Sequence, residues 1–318
     1  YVARFDANLS GQWLALEPDT IGVNGQALRD NPNFAGANDA EVKAKILIKT
    51  RMAADAVGAT MMDRPEWTGA RPRIGGFDEV EVYCTLTNNN RRGNAPTASA
   101  PAANAADGST AAASANPPVD AANPRADNDF GHIIRWRETG KTVTATSFGW
   151  DIFAQAGDSI TTKTLGSTYT GAANYQGNIV DAPNGSADYG APDGLWFDPF
   201  GRLWVQTDQV GDGSGDFINI GGNMMVCADP NTGETRRFMT APNKCEVTGV
   251  TMTPDGKTMW VGIQHPGEDA LSGNPIQFSN WPQNQWAVEA DGVTALPAGR
   301  PRSSVVVITK DDGGIIGS

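Results

Sequence analysis

Residues 244–268, KCEVTGVTMTPDGKTMWVGIQHPGE, decide how this chain is read. Apolar residues flank Thr253-Pro254-Asp255-Gly256-Lys257, and an Asp-Gly pair suits the positive-φ positions of a tight reversal, so the stretch reads as a β-hairpin. Glu246, however, stands where the first strand begins, amid Cys245, Val247 and Val250. Two other segments repeat the arrangement: Glu66 opens EWTGARPRIGGFDEVEVYCTLTNN, and Asp193 opens DGLWFDPFGRLWVQTD. Each runs acid, short apolar strand, Pro/Gly-containing turn, second apolar strand.

Hairpins of another kind lie between them: VARFDANLSGQWLAL, HIIRWRETGKTVTATSFGWDIF and MMVCADPNTGETRRFMT, while SSVVVITKDDGGIIGS stops at its turn. Charged turns and looser alternation mark these as outer strands that see solvent. An inner plus an outer hairpin makes a four-stranded sheet. The sheet recurs after 53 residues, from Asp193 to Glu246, close to the ~40–50 residue period of propeller blades. The expected fold is all-β, a β-propeller carrying about three and a half blades here as a single partial domain over residues 1–318. A generic sandwich would show similar hairpins. One helix is expected over Asp39–Val57, capped by Asn38 or Asp39, with Val42, Ile46, Ile48 and Met52 near helical spacing.

The innermost strands of a propeller start at one end of its channel, so Glu66, Asp193 and Glu246 should converge on one mouth. Converging carboxylates repel and take up protons unless a cation neutralises them. Hard oxygen ligands favour calcium or oxidised iron over zinc. The alternative is that each acid separately caps a turn or pairs with an arginine. His132, in GHIIRW, is expected to pack beside Trp136 or bond to backbone. His265, in QHPGE, follows a strand that returns to the side where its partner began; metal ligation, support of a ligand through a hydrogen bond and a structural role all stay open. Trp67, Trp196, Trp204 and Trp260 are expected to fill the core between sheets.

Net charge is −12 and no basic run exceeds Arg91-Arg92, which argues against nucleic acid or an anionic membrane as the main partner. No apolar run approaches the ~20 residues of a membrane span. Cys84, Cys227 and Cys245 are odd in number and form no C-x-x-C pair, so they read as small buried hydrophobes. Residues 92–122, rich in Ala, Pro, Ser and Asn, read as an exposed low-complexity insertion. The acidic, Gly-, Asn- and Asp-rich composition leans towards a periplasmic or extracellular protein.

The motifs MMDRPEW, EVYCTLTNN, ANPRADNDFGHIIRW, PDGLWFDPFGRLWVQTD, KCEVTGVTMTPDGKTM, QHPGE and VVVITKDDGG follow one another nearly end to end as in the PhoX-type bacterial alkaline phosphatases, which this chain resembles. The resemblance implies a six-bladed propeller whose channel mouth holds calcium and iron and hydrolyses phosphate monoesters, in a protein exported to the periplasm or beyond. Position by position, it assigns Glu66, Asp193 and Glu246 to the metal cluster. Asn223 is a further ligand, in GGNMM where the family shows GNNQM. Lys244, two residues before Glu246, is placed to hold substrate phosphate, as a point charge where some relatives carry the arginine fork. Family members are longer, with a cysteine-containing iron-binding segment preceding this region. A second polypeptide, the N-terminal half of the same product or another subunit, is therefore expected to complete the propeller. Two other functions fit acid-mouthed blades: a non-enzymatic surface or assembly module of phosphatase descent, and a calcium-dependent lactone hydrolase.

Overall fold

The computed structural model describes residues 1–98, 116–157, 188–209, 213, 215–268, 274–283 and 299–318. Their strands form three antiparallel sheets. The first has six strands: β1 (Val2–Phe5), β2 (Ser10–Leu14), β3 (Pro65–Ala70), β4 (Glu81–Leu86), β5 (His132–Glu138) and β6 (Ser147–Gln155), in the order β1-β2-β6-β5-β4-β3. The second runs β10-β9-β8-β7, from β7 (Pro192–Phe197), β8 (Leu203–Thr207), β9 (Met224–Ala228) and β10 (Thr235–Thr240). The third runs β11-β12-β13, from β11 (Glu246–Met252), β12 (Thr258–Gln264) and β13 (Ser304–Thr309).

Strand alternation places the second sheet between the other two. Leu203 and Val205 of β8, with Met224 and Val226 of β9, pack in one cluster with Tyr83 and Ile133 of the first sheet. Their neighbours Trp204 and Met225 point the other way, into a cluster with Val247, Val250, Met259 and Val261 of the third. Trp204 is fully buried and its indole N–H donates to Asp198 Oδ2 at 2.9 Å. Of the other tryptophans in the expected core, Trp196 packs against this second cluster from a partly buried position, whereas Trp67 is 38% exposed. Strands β3, β7 and β11, which carry the three acids, touch in succession, β3 on β7 and β7 on β11.

Three expectations change. The outer hairpin β1–β2 joins a sheet of six strands where four were expected: β2 pairs with β6, Ser10 opposite Gly149. Edge-to-face contacts of Phe5 with Trp136, Phe148 and Trp150 hold it there, and Trp13 Nε1 reaches Glu138 at 3.1 Å. The expected single helix is two, α1 (Asp39–Ile48) and α2 (Thr50–Ala56). Asn38 caps α1 by accepting from Glu41 N at 3.0 Å, but Lys49 leaves helical geometry (φ −101°, ψ 39°) and Thr50 Oγ1 turns back to Leu47 O. Val42 and Ile46 are buried, whereas Ile48 at the break is 83% exposed.

The third change concerns residues 92–122, of which 99–115 lie outside the described residues. Its two ends are anchored in the core, whereas residues 93–98 are exposed. Arg92 is fully buried; its guanidinium donates to Asp63 Oδ1 (2.8 Å), Pro118 O (2.7 Å) and Met61 O (2.6 Å). Ala122 is also fully buried, and its carbonyl accepts from His132 Nε2 at 2.8 Å. Composition concealed this, because a single arginine supplies the anchor that apolar side chains would otherwise give. His132 thus bonds to backbone, and burial with the nearby Arg125 charge holds it down to about 3, hence neutral. All three cysteines are free thiols, pushed up to about 12 by burial.

Removing one partner of a buried ion pair strands the other charge. Arg92→Ala should therefore cost about 3–5 kcal/mol, read as a shift of the denaturant midpoint. A change within experimental error would mean that the Asp63 carboxylate is compensated elsewhere.

Candidate functional site

Glu66 and Asp193 sit where their strands depart from regular pairing, and Glu246 stands at the head of a strand that does so a few residues on. On β3 the register with β4 shifts between Pro65 and Thr68, which brackets Glu66. On β7 it shifts between Pro192 and Leu195, which brackets Asp193. On β11 Glu246 lies opposite Gln264, and the shift follows between Thr248 and Val250. Such bulges re-aim side chains out of the pleat. Beside Asp193, a Cβ at Gly194 would meet Gln206 Oε1 at 2.3 Å, so a larger residue there must displace that side chain.

Side chains of one sheet grip the backbone of the next beside these acids. Thr85 Oγ1 donates to Asp193 O at 2.6 Å and Thr87 Oγ1 to Pro192 O at 3.1 Å. Asn223 Nδ2 donates to Cys245 O at 2.6 Å and to Gln209 O at 3.0 Å. Its Oδ1 accepts from Thr207 Oγ1 and Gln209 N, both at 2.7 Å. The amide of Asn223 is thus occupied in placing the segments that carry Glu246 and Asp208.

Asp193, Asp208 and Glu246 come together, each offering an oxygen within 4.8 Å of the others. Glu66 stands alongside, close enough for its charge to act on Asp193. Desolvation, then Glu66, Glu246 and Asp208, push the Asp193 carboxyl up to about 7. Desolvation and Glu246 push Asp208 up to about 6. Glu246 is raised by burial, against the opposing effect of His265 and a hydrogen bond from Asp193. Gln264 Nε2 donates to Glu246 Oε2 at 2.7 Å. His265 lies between two acids, Nε2 at 3.2 Å from Glu246 and Nδ1 at 2.7 Å from Glu268.

Buried Asp193 Oδ1 has no hydrogen-bond partner. An orphaned oxygen within a close set of hard carboxylate donors fits a hard cation. Arg64 is the cation whose field reaches both Asp193 and Asp208. It adopts φ 47°, and its Nη1 donates to Asn88 Oδ1 at 3.2 Å. Lys244 has φ 49°, with its ammonium 5.2 Å from the centre of the Phe278 ring. Sequence reading missed Arg64 and Asp208. Arg64 lies in the quoted MMDRPEW; Asp208 ends VQTD, one residue past β8, on the side where β7 begins.

The family model described as alkaline phosphatase PhoX matches residues 1–267. This chain belongs to the PhoX family. Among solved structures it is similar to Pseudomonas fluorescens PhoX in complex with vanadate, a transition state analogue, at 37% identity and a TM-score of 0.70. The match covers 99% of this chain and 45% of that one, so the chain spans less than half the length of that relative. No curated protein matches.

The raised acids fix a pH response. In metal-free protein, carboxyls with folded-state values above the ordinary range favour the folded state while protonated. That contribution is complete below about pH 4, the unfolded value. It is lost as pH rises through about 6 for Asp208 and about 7 for Asp193. After chelation, Tm should fall from about pH 5 to about pH 8, and Asp193→Asn should flatten part of that fall. An unchanged slope in the variant would assign the titration to other groups.

Proposed function

We propose that this chain forms part of a metal-dependent phosphomonoesterase, with its reaction site at the Asp193–Asp208–Glu246 group. The observation that carries the reading is a set of oxygen donors with an unsatisfied buried member beside the Arg64 guanidinium. A cation-binding set and an anion-binding group share one place. Family membership and the likeness to a vanadate-bound PhoX support the same chemistry.

Asp193, Asp208 and Glu246 would hold the cations, with Glu66 alongside; we propose calcium and iron, in keeping with all-oxygen donors. Bound there, they supply Lewis-acid polarisation of phosphoryl oxygens. Arg64 holds the phosphate, its fork steadied by Asn88 Oδ1. Lys244, two residues before Glu246, is a further phosphate contact. Gln264 and His265 fix the Glu246 carboxylate, and Asn223 fixes the strand behind it.

We read the three sheets as consecutive blades of a propeller, six when complete. Support comes from the succession β3, β7, β11 and from acids at the head of each strand. The remaining blades would come from another stretch of the same product or a second polypeptide, in keeping with the 45% coverage of the relative. The acidic composition supports a place in the periplasm or outside the cell. Among the described residues no helix is long and apolar enough to cross a membrane.

Glu246→Gln keeps shape and removes charge. In metal-loaded protein it should lower p-nitrophenyl phosphate turnover by about a hundredfold or more, with Tm shifted only a few degrees. Turnover at the parent level would take Glu246 out of the mechanism. A parent protein without turnover would favour the non-enzymatic surface module.

A further inference from the structure

A cleft of about 670 Å³ opens beside Glu66, lined among others by Arg51, Asp55, Arg64, Asn88 and Asn90. Asn88 and Asn90 also line the neighbouring cleft that contains Asp208. The larger cleft therefore takes in Glu66 and the phosphate-holding Arg64 at one part of its wall and reaches α2, through Arg51 and Asp55, at another. Asp55, near the end of α2, is 4% exposed, and its Oδ2 lacks a hydrogen-bond partner. Arg51 lies four residues earlier on the same helix, at the spacing of an ion pair. No ion pair joins the two among the described residues.

A structural purpose explains Asp55 poorly. An acid in the last turn of a helix opposes the backbone dipole. A buried carboxyl oxygen without a donor is also unfavourable unless something else brings the donor. The rest of the wall narrows what that is. Asparagine amides and the Arg51 guanidinium offer hydrogen bonds to oxygen, and among the described residues no aromatic ring lines the cleft for a base to stack on.

We infer that this cleft is the leaving-group subsite, and that it takes the hydroxyl-rich alcohol of a sugar or polyol phosphate, with Asp55 accepting a hydrogen bond from a hydroxyl. The inference rests on the phosphomonoesterase reading. Arg64, at the junction, holds the phosphate, so that the esterified oxygen points into the cleft and its carbon chain extends to Asp55. A hydroxyl donor satisfies the orphaned oxygen, and Arg51 donates to a neighbouring oxygen of the same alcohol.

The test compares kcat/KM for glucose 6-phosphate and for p-nitrophenyl phosphate, whose ring brings no hydroxyl, in metal-loaded parent and Asp55 variants. Asp55→Ala should lose about 10–100-fold on the sugar phosphate and change less than about twofold on the aryl phosphate. Asp55→Asn keeps an acceptor and should restore part of the loss; with Arg51→Ala it also carries the comparison if Asp55→Ala does not fold. Equal losses on both substrates, or none on either, would overturn the inference and leave the phosphatase reading intact. With an inactive parent the phosphatase reading fails, and calorimetry of glucose 6-phosphate against inorganic phosphate decides the subsite. Tighter binding of the sugar phosphate that Asp55→Ala abolishes would uphold it; equal binding would overturn it.

Discussion

Carboxyl oxygens of Asp193, Asp208 and Glu246 within 4.8 Å of one another oppose their own arrangement, and the surrounding structure is built to hold them despite it. No hydrophobic gain attaches to the acids themselves. Their position comes from backbone, fixed one residue away or on the acid itself by bonds from the preceding sheet, Thr85 to Asp193 O and Asn223 to Cys245 O. Behind those bonds, the alternation of β8 and β9 sends one set of side chains to each neighbouring sheet, so that the middle sheet cannot slide without unpacking two cores. Repulsion among the acids is thus resisted by burial well away from them.

Much of this was legible because it repeats. Acid, apolar strand, tight turn and apolar strand recur at Glu66, Asp193 and Glu246, and strand pairing follows the recurrence. What repetition could not show was which second-strand ends carry chemistry. The reasoning that singled out His265, beyond the end of β12, applies equally to Asp208 beyond β8. Asp208 reads as an ordinary polar strand end, and only the assembled sheets set it against Glu246. Arg64 was hidden differently. Its backbone is left-handed at a non-glycine residue, and nothing in a sequence announces that.

Composition misled where one side chain did the work of many. Alanine- and proline-rich flanks hold too little apolar surface to dock on their own, yet Arg92 bonds Asp63 and two carbonyls in a space closed to solvent. Asp63 directly precedes Arg64, and Asn128 Nδ2 reaches its other oxygen at 3.0 Å. The same buried polar network therefore reaches the residue next to Arg64, whose charge acts on Asp193 and Asp208. In the helical region the opposite happened. Apolar spacing ran on through Ile48, but no core lay opposite, and the helix broke at Lys49.

The flanks of that Ala-rich segment are also tied to each other. Gly93 N donates to Pro117 O at 2.8 Å, and Asn116 Nδ2 to Ala95 O at 2.8 Å. The two described flanks meet in one narrow neck, and the separation between them is set by these bonds. For a gene, such a neck is a tolerant junction: sequence can be gained or lost past it over generations without a register change in any strand. For the laboratory it is a port through which a fluorophore, an affinity handle or a whole domain can be carried on this scaffold while the carboxylates keep their spacing.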